Sequence, residues 1–465
     1  MKQRPLEASM HLFPLLIALC MSFIPVPAIC NDFSTNPEVA LKSPFSFVSS
    51  YSQWIDKQNS FIDYFEVDGQ EQARVVFAGS SMQDPDSDRP TVSEGMGYGL
   101  LLACAYNDQG TFDKFLSYVI SVANNDGCSL YYNNACHTPA HFMMPWMVNS
   151  AGKTFMYTPP GASTAYNTSS SATDADIQIA WAVYLASQKV QQNAWQNTQF
   201  KTSEGTLDYD GIFQKMALGI RLADVDSKAL RYSPGNQWDI AGTKVMYPGY
   251  FTPNAFAVLE KAPIPDISVD CSSFSIDNAL AYKFSGVLTS SFKAITQSQD
   301  AHDGLVPNVI NYDGISSGNV WYDSFAYDAC RFPMWTSYFA QTNPDDPLAA
   351  DMKISANKLL NKLISYVQKN TLPSLGVDAF DGTAQGDWDS PAIALNAPVM
   401  AAAYILGDQD LYNQLSPPVF SYDIAKNQPS KSDAIGDSSH YYTAAMVLIS
   451  RAILENRLGT MVSCE

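Results

Sequence analysis

Thr173-Asp174-Ala175-Asp176-Ile177-Gln178-Ile179-Ala180-Trp181-Ala182-Val183-Tyr184-Leu185-Ala186 is the stretch on which the fold turns. It opens as a helix should. Ser171 and Thr173 bring hydroxyls and Asp174 and Asp176 bring acidic groups to the first turn, where the helix dipole favours negative charge. Ile177, Ala180, Trp181 and Tyr184 then recur at i, i+3, i+4 and i+7, the spacing of one helix face. Ile179, Val183, Leu185 and Ala186 fill the remaining directions. A helix that is apolar nearly all round offers no face to water and is buried on every side. Leu100–Ala105 and Ala444–Ile449 read the same way. Several such helices require an outer layer shielding an inner one, so a large, mostly helical two-layered fold is predicted. Strand signals are few: Phe65-Glu66-Val67 and Arg74-Val75-Val76-Phe77 flank Asp68-Gly69 and predict a hairpin.

Composition bounds the rest. The chain has 465 residues, of which 46% are hydrophobic and 16% charged, enough to bury a sizeable core. A formal charge of −19 argues against nucleic acid, whose binding needs clustered Lys and Arg. The 25 Tyr and 8 Trp suit a core, and also a groove that stacks on flat, partly apolar faces such as sugar rings.

Residues 1–30 read as a secretory signal: Lys2 and Arg4, the apolar run Leu12–Ile24, then Val26-Pro27-Ala28. The run is too short for a transmembrane span, and neither Cys20 nor Cys30 follows the small residue that a lipid anchor needs. The expectation is a secreted or periplasmic monomer, off the membrane after signal removal, with one domain over residues 31–465.

Loss of Cys20 leaves an odd seven cysteines, hence at least one free thiol, and Cys128 with Cys136 could staple one loop. No Cys-x-x-Cys occurs and the five histidines are scattered, which speaks against zinc. Asp84-Pro85-Asp86-Ser87-Asp88 mimics a calcium loop. Its sixth position is Arg89 and its twelfth Gly95, so a solvated acidic turn is the better reading. No metal and no cofactor are expected.

Acids and aromatics gather in a few segments. Glu94 lies in Val92-Ser93-Glu94-Gly95-Met96-Gly97-Tyr98-Gly99, ahead of an apolar run, where poor solvation would favour a protonated carboxyl. Its simpler role would be to decorate a helix start. His137, His141 and Trp146 crowd residues 133–149. Tyr247-Pro248-Gly249-Tyr250-Phe251-Thr252-Pro253 should be rigid and non-helical. Trp321 to Arg331 mixes Asp323 and Asp328 with four aromatics, and Asp328 with Arg331 would also make an ordinary i,i+3 ion pair. No Gly-x-Ser-x-Gly elbow is present. What is left is acid–base work by carboxyls, such as glycosidic hydrolysis with one protonated and one ionised group.

The chain resembles glycoside hydrolase family 8. Ser93-Glu94-Gly95-Met96-Gly97-Tyr98-Gly99 resembles the segment carrying that family's general acid, and Ala172 to Ala180 is close to its signature. Tyr327-Asp328-Ala329-Cys330-Arg331 resembles the base segment of one branch. Weaker likenesses are Pro145 to Asn149, Gly304 to Pro307 and His440 to Tyr442. The resemblance implies an (α/α)6 barrel and an inverting mechanism. It assigns Glu94 as acid, Asp328 as base, Asp174 to the sugar in the cleavage subsite and Tyr250 to positioning the water. Trp146, Arg331, Tyr327 and Tyr441 become candidates for substrate contacts. Asp174 at a helix start would be a stabilised anion, Arg331 would hold the pKa of Asp328 down, and Asp176 would be structural. Gly249 stands where a serine is expected, and Gln178 where the signature commonly has an acid. The implied substrate is a polysaccharide: internal β-1,4 bonds of cellulose or mixed-linkage β-glucan, with chitosan or xylan as alternatives. An inactive sugar-binding barrel is the reading from another class.

Overall fold

The computed structural model describes residues 47–77, 89–126, 129–132, 136–139, 142–158, 165–203, 205–236, 244–263, 282–313, 322–427 and 439–458. All of them lie within one compact unit, Ser43–Thr460. The signal reading, the Asp84–Asp88 string and Trp321 fall outside the described residues, as do the side chains of Cys128, Cys136, His137 and His141.

Twelve α-helices occur among the described residues: α1 Tyr51–Ile55, α2 Ser93–Ala105, α3 Gln109–Asp126, α4 Thr173–Gln191, α5 Tyr209–Ala223, α6 Pro253–Leu259, α7 Phe284–Ala301, α8 Arg331–Thr342, α9 Ala349–Leu363, α10 Ile393–Leu406, α11 Gln409–Ser421 and α12 Ser439–Leu454. The even-numbered helices pack in the closed order α2–α4–α6–α8–α10–α12–α2, and α3, α5, α7, α9 and α11 each lie against an inner neighbour in sequence. Near α1, Arg451 of α12 donates to Ser49 O at 2.7 Å, tying the chain entry to the sixth inner helix. This is the (α/α)6 barrel.

Sequence explains the layering. In α2 every residue but Glu94 is buried, and α4 is buried without a break from Thr173 to Val183. Outer α9 buries Ala349, Met352, Ser355, Ala356, Leu359, Leu360 and Leu363, one stripe at helical spacing. The three stretches that read as apolar all round are thus pieces of the inner helices α2, α4 and α12.

The expected hairpin forms between β1 (Ile62–Val67) and β2 (Gln70–Val75), with Val67 opposite Gln70. Asp68 (φ 51°) and Gly69 (φ 78°) make its two-residue turn, a left-handed pair that Asp-Gly tolerates. One expectation is corrected. Pro248–Tyr250 is a turn of 3-10 helix, and Pro253 is the first residue of α6 rather than the end of a loop. Proline's fixed φ and missing N–H suit a helix start, so it opens the helix it was expected to exclude.

Inside α10, Pro398 supplies no N–H to Ala394 O. The thiol of Cys330 lies 3.7 Å from that carbonyl. Cys330 and Cys104 are buried free cysteines.

Candidate active site

The candidate residues come from the N-terminal ends of inner helices. Glu94 is the second residue of α2, Asp174 the second of α4, Arg331 the first of α8 and Tyr441 the third of α12, while Tyr250 lies just before α6. Helix N-termini carry partial positive charge, so this mouth of the barrel favours carboxylates. A cation at the first position of α8 sits at the unfavourable end of its own helix, and three carboxyls offset that.

Arg331 is the hub, with no exposed surface. Its Nη1 donates to Asp174 Oδ2 at 2.9 Å, to Tyr98 OH at 2.8 Å and to Glu94 Oε1; its Nη2 donates to Asp328 Oδ1 at 2.8 Å. The guanidinium also stands 5.4 Å from the Tyr250 ring centre, over its face. The i,i+3 pair of Asp328 and Arg331 therefore exists, as one arm of a larger cluster.

Glu94 is less apolar in its surroundings than its sequence context implied. Its Oε1 accepts from Tyr98 OH at 3.0 Å as well as from Arg331, and its Oε2 accepts from Tyr441 OH. Tyr98 was not singled out in the sequence, although it stands four residues after Glu94, on the same helix face.

Asp174 departs from the expected stabilised anion. Only 2% of its side chain is exposed, and its Oδ1 has no hydrogen-bond donor among the described residues. Burial pushes its carboxyl up to about 7, against the opposing pull of Arg331, with Glu94 and Asp328 adding like charge. Asp328 follows the same balance more mildly. Crowding by protein atoms raises its pKa although 28% of the side chain reaches solvent, and Arg331 lowers it without prevailing.

The aromatic candidates are placed differently from one another. Trp146 is half-buried; its carbonyl accepts from Ser93 N at 2.9 Å, one residue before Glu94. The pairing of Thr91–Val92 with Met147–Val148 holds it there, and Tyr157 meets its ring edge-on at 5.8 Å. Tyr441 is buried and turned to Glu94. Tyr327 donates to Ser374 O at 3.3 Å, and its carbonyl accepts from Tyr442 OH. Tyr250 stacks on Tyr247 at 4.9 Å. A cavity of about 450 Å³ opens beside Tyr327, lined by residues of α10, α11 and α12; Glu94, Asp174, Asp328 and Arg331 do not line it.

Asp176 lies two residues beyond Asp174 on the same helix and contacts Asp224 instead of Arg331. Taken as two carboxylates, neither Asp176 oxygen has a donor. With a proton on Asp176 the two carboxyls hydrogen-bond each other, and burial with the like charge of Asp224 holds that proton on. Asp224 accepts from Ser171 Oγ at 3.1 Å, and burial pushes it up to about 7. Asn236 braces Ser171 through Ser171 N to Asn236 Oδ1 at 2.9 Å and Asn236 N to Ser171 Oγ at 3.1 Å.

The chain is similar to known proteins at three levels. Residues 63–451 match the family model described as glycosyl hydrolases family 8. Endoglucanase 2 of Ruminiclostridium josui is 25% identical over 255 residues, 55% of this chain and 44% of that protein. Endoglucanase A of Acetivibrio thermocellus is 25% identical over 252 residues, 54% of this chain and 42% of that protein. The matched part is thus less than half the length of these curated relatives. Among solved structures, Rex8A from Paenibacillus barcinonensis complexed with xylose superposes with a TM-score of 0.57 at 15% identity, covering 85% of this chain and 88% of that one. A cold-adapted family 8 xylanase superposes at 0.58 with 14% identity, covering 88% and 91%. At such identities the two superpositions speak for the barrel alone. The match across residues 63–451 settles the family: this chain belongs to the glycosyl hydrolases family 8.

Proposed function

We propose that this protein is an inverting glycosidase that cuts internal β-1,4 bonds of cellulose or mixed-linkage β-glucan. The observation that carries the reading is the Arg331 cluster, in which Glu94 and Asp328 bind different nitrogens of one guanidinium. An inverting enzyme needs its carboxyls held apart, roughly 6.5–9.5 Å, with room for a water, and here the two carboxyls meet separate nitrogens of Arg331 rather than each other.

In this reading Glu94 protonates the leaving oxygen, with Tyr98 and Tyr441 fixing its carboxyl. Asp328 takes the proton of the attacking water, and its partial exposure gives that water a way in. Tyr250, beside Arg331, completes the water's surroundings. Asp174 offers the unpartnered Oδ1 to a sugar hydroxyl in the cleavage subsite, which would repair its hydrogen-bond deficit. Trp146 supplies a stacking face. The preference for glucan over xylan or chitosan leans on the endoglucanase relatives. Export is part of the same proposal and rests on residues 1–30.

The test is reducing-end release from carboxymethylcellulose, mixed-linkage β-glucan, chitosan and xylan, with the anomeric product followed by NMR. Release from the glucans with inversion supports the proposal. Release from xylan or chitosan alone would transfer the same chemistry to that polymer. Silence on all four, with oligosaccharide binding intact, would leave a sugar-binding barrel.

A further inference from the structure

The turn carrying Asp328 is gripped from two sides. On one side is Asn308, fully buried in the loop that follows α7. Its single Oδ1 accepts from three backbone N–H groups of the turn: Ala326 at 3.3 Å, Asp328 at 3.2 Å and Ala329 at 2.9 Å. The N–H of Asn308 in turn donates to Ser324 O at 2.8 Å, so the loop and the turn are sewn together at both levels.

On the other side is Gly249. A Cβ there would lie 1.8 Å from Asp328 O, 2.5 Å from Asp328 C and 3.2 Å from Arg331 Nε. The first two of these atoms are backbone, so no rotamer change relieves the clash. Gly249 is not among the positive-φ glycines, which makes it a glycine for reasons of space rather than backbone conformation. Its segment has little freedom to retreat: Tyr247 O accepts from the buried Tyr232 OH at 2.8 Å, and the Tyr247 ring stacks on Tyr250. The carbonyl that Gly249 meets also accepts from Arg331 Nε at 3.4 Å. One close approach thus bears on both the base candidate and the guanidinium.

We propose that Asn308 and Gly249 are positioning residues that clamp the 326–331 turn and so fix Asp328 and Arg331 as one unit. The inference rests on Asp328 acting as the base. It also explains the missing serine: with the backbone this close there is no room for one, and the turn is aimed by packing instead. Restoring a serine should therefore lower activity rather than raise it. Misplacement by about 1 Å at a reacting group costs on the order of 10²-fold in rate.

The experiment measures kcat, KM and oligosaccharide affinity on the full chain for Asp328→Asn, Asn308→Ala, Asn308→Asp and Gly249→Ser. Expected are a kcat loss of about 10–10²-fold for Asn308→Ala and about 10²-fold for Gly249→Ser, with KM and affinity moving less than about threefold. Asn308→Asp keeps an acceptor oxygen for the three N–H groups and should recover most of the lost kcat. Gly249→Ser added to Asp328→Asn should cost little more, because both act through one carboxylate. If Asp328→Asn stays within tenfold of the parent, the base assignment falls and the clamp falls with it. If Asp328→Asn is inactive while folded Asn308→Ala and Gly249→Ser keep parental kcat, the clamp alone is overturned. Should Gly249→Ser not fold, the Asn308 pair decides by the same criterion.

Discussion

Two acidic clusters begin on the same turn of α4 and solve the same problem by different means. Asp174 joins Glu94 and Asp328 around a buried guanidinium. Asp176 faces Asp224, and the partner of its carboxyl is another acid. The first cluster is compensated mainly by a fixed cation, the second by a shared proton. A fixed cation pulls the pKa values of Asp174 and Asp328 down against burial and leaves an oxygen of Asp174 open to a ligand. A shared proton joins the two carboxyls by a hydrogen bond and leaves them one negative charge, braced by Ser171 and Asn236, an arrangement that suits a wall behind the site.

If that contrast holds, removing the cation is the most damaging single change. Arg331→Met should lose about 3–5 kcal/mol in urea unfolding, the range for orphaning one side of a buried ion pair. A loss below 1 kcal/mol would mean that both clusters are proton-compensated alike. Next in size, Glu94→Gln should reduce turnover at least ~10²-fold, about 2.7 kcal/mol of barrier, with oligosaccharide affinity kept. Near-parental turnover would remove Glu94 from the acid role.

The second cluster is probed by pH. The carboxyls of Asp224 and Asp176 are both raised above the ordinary carboxylate value, Asp224 to about 7, so the folded state holds protons that the unfolded chain releases near pH 4. Their contribution to stability is fully present below the unfolded pKa and is lost as pH climbs to the folded one. Asp224→Asn should remove one such component, at most about 1.4 kcal/mol per pH unit between roughly pH 4 and 7. Urea midpoints across that range check it, and an unchanged slope would mean the pair holds no extra proton. The smallest effect is expected from Tyr98→Phe. It deletes one hydroxyl shared by Glu94 and Arg331 and should cost about 1 kcal/mol, close to fivefold in turnover.

How much of this was readable beforehand follows from distance along the chain. The all-round apolar character of α4 announces an inner helix because helical period and burial are local properties. Glu94, Asp174 and Asp328 were named through short motifs, and the barrel brings all three to Arg331. The partner of Asp176 is not readable, since Asp224 arrives just past the end of α5, after the Phe200–Leu207 hairpin. The raised pKa of Asp174 is not legible in the sequence, because position at a helix start is visible there while complete burial is not. Gly249 stands out in the sequence as a departure, yet its reason is a contact across 79 residues that no local pattern encodes. Asn308 gave no signal at all beyond lying one residue past Gly304-Leu305-Val306-Pro307.

The inner ring closes where α12 meets α2, and the hydrogen bond from Tyr441 to Glu94 crosses 347 residues of chain. Its two ends are made far apart in time. At about 5–20 residues per second, a ribosome that has just added Glu94 needs roughly 20–70 seconds to reach Tyr441. Until then the carboxyl lacks its last phenolic donor and the barrel lacks its final stave. A nascent chain that stops short of Tyr441 therefore has neither a closed inner ring nor the full set of donors to Glu94.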